Sequence, residues 1–491
     1  MTARPNVILI ITDQQRFDTI NALGAQWMHT PNIDRLVSEG MSFTNCFVTS
    51  PVCVASRASM FRGVYPHSTN VYTNFEPWEP NWVGWLADAG YHCVNIGKMH
   101  INPYDAKGGF HQRFVVENKD RPLFLEEHDR AIYDEWDKAL KARGLVKPSR
   151  YTRVEADPKG FLDALGCFIW ETDDDMHPDN FVGNTARWWL EDRKAESPFF
   201  LQIGFPGPHP PYDPTAEQYE RYEHAEIPVP DVGADELARQ PGMHKRLRQS
   251  MIEFNIDSVA WREDAPQEDL LKLRRYYAAN VTMIDEKVGE IMQTLRQKNY
   301  LDNTIVIFCS DHADALGDHG HIQKWTMYDT VVRVPLVIWS PGRVKTGVCD
   351  ELVQLMDVSP TILEACGLAH PDNWEAKSLG PILSEGRSSD GRFRDFVYAE
   401  LGRDHIQSAS EFVIMRRNHD WKEVIYVGSD EGELYDLHVD PDETNNLWSE
   451  PAHRERRDAA TRDILAWSTL GAYRANRPKM RKAQSPMTVE S

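Results

Sequence analysis

The 491-residue chain is 41% hydrophobic and carries a formal charge of −21. It has enough apolar material for one large core with a smaller unit appended, and its field repels nucleic acid and anionic membranes, so an anionic substrate needs a local basic pocket. Its 7 cysteines are odd in number and scattered without CxxC spacing, which excludes a disulfide scaffold or a zinc ribbon and leaves the thiols as small buried hydrophobes.

The opening MTARPNVILIITDQQ holds an apolar run of about seven residues, too short for a secretory h-region or a membrane span. A cytoplasmic protein with no membrane partner is expected. The apolar runs NVILIIT (Asn6 to Thr12), HCVNIG (His92 to Gly97), FFLQIGF (Phe199 to Phe205) and TIVIFCS (Thr304 to Ser310) are bounded by polar or glycine-containing turns and read as buried strands. Before the last of them, Tyr277, Val281, Ile284, Val288, Ile291 and Leu295 mark a long helix with one face on a sheet. RVPLVIWSPG is a further strand ending in a Pro-Gly turn. From about residue 375, FRDFVYAE, FVIMRRN, WKEVIYV and GELYDLHVDPDETNNL look like short antiparallel strands, followed by a helix from Pro451 to Leu470.

The fold class expected is α/β: a large mixed, mostly parallel sheet sandwiched by helices, with a smaller C-terminal antiparallel sheet plus helix. The expected division is a catalytic domain over 1–374, a C-terminal α+β subdomain over 375–472, and a basic mobile tail over 473–491. The segment 118–175, rich in charge and aromatics without clear periodicity, reads as an insertion that walls a pocket.

Each of the four strands runs into charge: the first into Asp13, the second into Lys98 and His100, the third into His209, the fourth into Asp311 and His312. Ligands in open α/β sheets bind beyond the carboxyl ends of the strands, so these groups can converge. Two acids at two strand ends, one followed at once by histidine, point to a mononuclear site for a hard or intermediate divalent cation. Asp314, Asp318, His319 and His321 lie farther along the loop and are read as loop or helix-start residues.

CVASR followed by ASMFRG, from Cys53 to Gly63, resembles the active-site signature of the type I sulfatases of the alkaline phosphatase superfamily. That pattern is Cys-x-Pro-x-Arg, with Ala sometimes replacing Pro, and its cysteine is oxidised after translation to formylglycine. PNVILIITDQQRFD, TPNIDRLVSEGMSFTNCF, GYHCVNIGKMH, PHPPY, SDHADALGDHG and ELYDLHVDPDETNNL resemble further blocks of the family, in family order. The resemblance implies an alkaline phosphatase-like fold and a cation held by Asp13, Asp311 and His312. Gln14 stands where many sulfatases have a second Asp, as a carbonyl ligand or as a group behind the ligands.

It also implies Cys53, as hydrated formylglycine, for the nucleophile, with Arg57 holding the hydrate. Lys98 and Lys324 would bind the anionic oxygens, each such donor being worth about 3 kcal/mol, and His100 and His209 would move protons. The chemistry explains the modification. A plain thiol attacking sulfur gives an adduct with no easy exit; a geminal diol attacks through one hydroxyl and expels sulfate when the other loses its proton. The cation expected is calcium, with manganese the alternative. The expected partners are a small anionic ester as substrate and a formylglycine-generating enzyme in maturation, and assembly as a homo-oligomer is left open.

The leading function is hydrolysis of sulfate monoesters. The alternative is hydrolysis of phosphonate monoesters or phosphodiesters with the same nucleophile, because the layout is also similar to phosphonate monoester hydrolases. GKMH favours sulfate, Gln14 with Asp311 and His312 favours phosphonate, and Asn74 in VYTNFEP resembles a polar substrate contact of the phosphonate branch. A non-catalytic anion or glycan binder with unmodified Cys53 is the third reading. Ala55, and Met60, Phe61 and Arg62 in place of a smaller continuation, depart from the family pattern. Trp78, Trp82, Trp85, Trp170 and Trp325 are candidates to line a pocket for a sugar or aryl group, against the more common role of tryptophan in a core.

Overall fold

The computed structural model describes residues 4–117, 119–120, 123–125, 130–132, 134–194, 197–386 and 391–476. The apolar runs form one sheet of β1 (Asn6–Asp13), β2 (Met41–Phe47), β3 (His92–Gly97), β4 (Gln112–Val115), β5 (Phe199–Pro208), β6 (Thr304–Ser310), β7 (Arg333–Trp339), β8 (Gly347–Cys349) and β9 (Val353–Gln354). Their order is β8-β2-β7-β6-β1-β5-β3-β4, with β9 also on β2. β1 runs parallel to β5 and β6, and β3 parallel to β4 and β5. β7 is antiparallel to both its neighbours, β2 and β6. The expected mixed, mostly parallel sheet is the one observed.

β1 is buried along its whole length, as a central strand covered on both faces must be. Its alternate residues divide between the two sides. Ile8 and Ile10 pack with α1 (Pro31–Glu39), α3 (Pro178–Asp192) and α4 (Gln267–Gln297) through Ile33, Leu36, Val182, Leu190, Ile284 and Val288. Val7, Leu9 and Ile11 share a core with α2 (Cys53–Arg62) and α5 (Val358–Ala365) through Val54, Ala58, Phe61, Val358 and Ile362. The α4 stripe is buried as its period requires. The helix itself starts at Gln267, before the first stripe residue, with Glu268 and Asp269 in its first turn, where acidic side chains suit the positive helix end.

The C-terminal region forms a four-stranded antiparallel sheet of β10 (Val397–Gly402), β11 (Phe412–Arg417), β12 (Trp421–Tyr426) and β13 (Gly432–Asp436) in chain order. Ile464 of α6 (Arg454–Asn476) packs on Ile414, Ile425 and Leu434. This helix continues past Leu470, so residues 473–476 of the expected mobile tail are helical; the rest of that tail lies outside the described residues. In segment 118–175, three short helices occur at Glu135–Ala142, Arg150–Ala156 and Pro158–Asp163. Trp136 of the first belongs to the core under the sheet.

Candidate active site

β6, β1, β5 and β3 are consecutive neighbours in the sheet, so Asp311, Asp13, His209 and Lys98 leave adjacent strands at the same edge. A Cβ on Gly97 (φ +89°) would stand 2.0 Å from the Gly204 carbonyl oxygen, and one on Gly204 would stand 1.8 Å from that of Lys98. Glycine alone permits this backbone approach. It brings Lys98 down onto Asp13, whose Oδ2 its ammonium touches.

Cys53 opens α2, whose residues 53–61 are all buried, as a helix without a polar face must be. Its N-cap, Val52, offers no side-chain acceptor. Asn74 supplies one from another loop, its Oδ1 accepting the Val54 N–H at 2.9 Å. Arg57 follows Cys53 by one turn and shares its face. The guanidinium donates through Nε to Asp311 Oδ2 at 2.7 Å and through Nη1 to the Lys98 carbonyl at 3.0 Å. Its Nη2 lies 3.8 Å from Asp13 Oδ2 and makes no hydrogen bond.

The Cys53 sulfur lies 3.0 Å from His312 Nε2, 3.3 Å from Lys324 Nζ and 3.7 Å from Asp13 Oδ1. Asp13, Cys53, Asp311 and His312 bring their donor atoms within 4.8 Å of one another, all of them buried. Two carboxylates and an imidazole at this spacing suit a divalent cation. Arg57, Lys98 and Lys324 gather three cations around Asp13, Asp311 and the Cys53 sulfur, inside an acidic chain. These are the local basic side chains that an anionic substrate needs in a chain of this charge.

Burial pushes the Asp13 pKa up, but Lys98, His209, Lys324 and Arg57 outweigh it and hold the carboxyl well below its ordinary range. Burial, with Asp13 beside it, pushes the Cys53 thiol up to about 12, so at neutral pH the unmodified side chain is not a thiolate. Burial with Lys98 and Arg57 depresses His100 well below its usual value, and burial with Lys324 lowers His209. His100 takes a positive φ of 59°, its N–H held by Glu117 at 3.1 Å and its carbonyl by the Trp78 indole at 2.7 Å. Its Nδ1 is buried without a hydrogen-bond partner.

Residues 5–368 match the sulfatase family model, and residues 317–467 match that for the C-terminal part of N-sulphoglucosamine sulphohydrolase. The chain belongs to the sulfatase family. It is 29% identical to an arylsulfatase of Clostridium perfringens over 93% of this chain and 92% of that one. It is 28% identical to a choline-sulfatase of Rhizobium meliloti over 92% and 83%. The fold is also that of the phosphonate monoester hydrolase of Agrobacterium radiobacter, with a TM-score of 0.74 at 23% identity over 95% of this chain and 96% of that one. The enzyme class is that of the family, hydrolysis of sulfuric esters, and a metal ion with a formylglycine is general to it.

Within this sulfatase, the residues nominated as metal ligands, nucleophile, anion binders and proton carriers all reach the cluster or its immediate surroundings. His209 gives its backbone N–H to the Asp13 carbonyl at 3.0 Å, and its Nε2 faces Asp257 Oδ2 at 3.4 Å. The Gln14 side chain meets Lys324, its Oε1 accepting from Nζ at 3.0 Å. Asn74 is committed to Val54 at the start of α2. Asp318 and His319 pair elsewhere, with Arg16 and Glu236, as loop residues do.

Three groups escape a reading of the sequence. Asp257, in a stretch where Asn255, Asp257 and Ser258 all have positive φ, faces both His209 and Lys324. Asp314, expected as a plain loop residue, receives the Gln14 amide N–H and the Tyr212 hydroxyl. Glu117 holds the His100 backbone. The tryptophans largely belong to the core: Trp78, Trp82 and Trp170 are 2%, 0% and 5% exposed, and Trp85 stacks on Trp374. Trp325 follows Lys324 directly. No helix among the described residues is long and apolar enough to cross a membrane.

Proposed function

We propose that the protein hydrolyses sulfate monoesters to an alcohol or phenol and sulfate, with residue 53 as its nucleophile after conversion of Cys53 to formylglycine by a maturation enzyme. The observation that carries this reading is the position of the Cys53 sulfur, at the start of a buried helix and in contact with both His312 and Lys324. Asp13, Asp311 and His312 would hold a divalent cation, calcium before manganese, which would supply Lewis acidity toward a hydroxyl on residue 53 and an ester oxygen.

Lys98 reaches Asp13 and Lys324 reaches the Cys53 sulfur, and the two ammonium groups would hold the equatorial oxygens of the transferring group. Arg57 fixes Asp311 and offers its unpaired Nη2 to an oxygen on residue 53. His100, kept neutral by burial and neighbouring cations, accepts a proton at its free Nδ1. His209, oriented by Asp257, serves the leaving oxygen. Asn74 acts through α2, by fixing the turn that carries residue 53.

Hydrolysis of phosphonate monoesters is the second reading, favoured by His312 and by Gln14 in place of an acid. Paired kcat/KM values for phenyl sulfate and a phenyl phosphonate monoester decide between them. A preference for sulfate, with a loss of roughly 10² to 10⁴ in His100→Ala, supports the first. A tenfold or greater preference for phosphonate, with His100→Ala nearly neutral, overturns it.

A further inference from the structure

Two short paths leave Cys53 and meet again at the surface. On one side Val54 gives its N–H to Asn74 at 2.9 Å, and Phe75 is the next residue. On the other, Lys324 lies 3.3 Å from the Cys53 sulfur, its neighbour Trp325 donates the indole N–H to Asp404 Oδ2 at 3.1 Å, and His405 is the next residue. The Phe75 and His405 rings lie 5.1 Å apart between centroids, at 53°. The contacts close a ring. Its inner end is Cys53, 1% exposed, and its outer end is Phe75, 59% exposed, beside a likewise exposed His405.

Both outer residues are held from behind. The Phe75 carbonyl accepts from Asn102 Nδ2 at 2.8 Å and its N–H donates to Thr73 Oγ1 at 3.3 Å. Asn102 lies two residues after His100, so Phe75 stands between the segment of the nucleophile and that of His100. In the 403–411 connection between β10 and β11, Asp404 Oδ1 accepts the N–H groups of Ile406 and Gln407 at 2.8 and 2.6 Å. Buried Gln407 in turn accepts those of Ala409 and Ser410 at 3.0 and 3.1 Å. The backbone is fixed while the aromatic faces are left to water. A rigid exposed ring beside a buried polar centre offers stacking area at little cost in conformational freedom.

We propose that Phe75 and His405 form the wall on which the alcohol part of the ester stacks, so that the enzyme selects ring-bearing alcohols over short acyclic ones. The proposal rests on the hydrolase reading above and adds the class of alcohol to it. Selectivity of this kind appears in kcat/KM as differential binding of the ring.

The test uses ethyl and 2-phenylethyl esters, whose alcohols have nearly the same acidity, so that their kcat/KM ratio reports on the ring and not on the leaving group. Sulfate and phosphonate monoesters are run in parallel; the ring preference is then read in whichever series turns over, and a failure of the sulfate reading shows separately. The phenylethyl-to-ethyl ratio is expected to be about tenfold or more in the intact enzyme and to fall by about tenfold in Phe75→Ala and in His405→Ala, through KM. Phe75→Tyr restores it, and Tyr473→Ala, 61% exposed on α6, leaves it unchanged. A ratio near one in the intact enzyme, or a ratio unmoved by both alanine variants, overturns the proposal. Should neither series turn over, calorimetric binding of the two sulfates to Cys53→Ala protein, with and without Phe75→Ala, makes the same comparison: tighter binding of the phenylethyl ester that is lost with Phe75 supports the wall, and equal binding of the two esters overturns it.

Discussion

Gln14 donates its amide N–H to Asp314 Oδ2 and accepts from Lys324 Nζ at 3.0 Å. A carboxylate can only accept and an ammonium can only donate, so these partners fix which end of the amide faces the nucleophile. Tyr212 and the N–H groups of Leu316 and Gln323 complete the Asp314 acceptor set.

This arrangement predicts a compensating pair. Gln14→Glu sets a carboxylate against Asp314, and Asp314→Asn sets an amide against donors; each is expected to cost about 1–3 kcal/mol in urea unfolding and to lower kcat. In the double variant Gln14→Glu/Asp314→Asn the acceptor and donor are exchanged, and stability returns in part. Strict additivity of the two single effects would show that the contact does not couple the residues.

Asp311→Ala should remove bound metal and, by stranding the Arg57 guanidinium, destabilise the fold by about 3–5 kcal/mol. Elemental analysis of dialysed protein alongside circular dichroism checks both. Unchanged metal content in a folded variant would refute the ligand assignment.

Peptide mass spectrometry of active enzyme should show residue 53 about 18 Da lighter than cysteine, the change expected when a thiol is exchanged for an aldehyde nucleophile precursor. Protein made without the maturation enzyme should fold and bind metal yet turn over little, because a thiol adduct lacks the second hydroxyl whose deprotonation expels the transferred group. Full activity with free Cys53 would contradict the mechanism.

His67 gives a pH dependence remote from the chemistry. It lies 2.9 Å from Glu400 and 3.5 Å from Glu375, under Trp467 of α6. Burial alone would lower its pKa, but hydrogen bonds to the two glutamates raise it to about 9. A raised folded value stabilises fully below the unfolded histidine pKa of about 6.5 and is lost as pH climbs through about 9, a change on the order of 3 kcal/mol. Thermal unfolding between pH 6 and 9.5 should show this loss in the natural protein and a flatter profile in His67→Gln.

The strand-end residues Asp13, Lys98, His100, His209, Asp311 and His312 are legible in the sequence because a buried run that stops at a charge has one meaning in a parallel sheet. Cys53, Arg57 and Lys324 are legible only through the family pattern. The reversed direction of β7 is not, since a strand buried on both faces has the same apolar run in either orientation. Asp257 lies in a stretch with no periodicity, and only the folded chain carries it to His209. Asn74, expected at the substrate, spends its carbonyl on the backbone of α2; a side chain that caps a helix from a distant loop leaves no local signature.

The enclosure of α2 also orders events in the life of the chain. Residues 53–61 are buried in the folded chain, so the maturation enzyme proposed above would have to meet the peptide around Cys53 while the polypeptide is still open. On that proposal, maturation and folding would be competitors in time. A variant that folds faster, or a cell short of the maturing enzyme, would yield well-formed molecules permanently shut out from activity, and adding the enzyme to them afterwards would not bring them back.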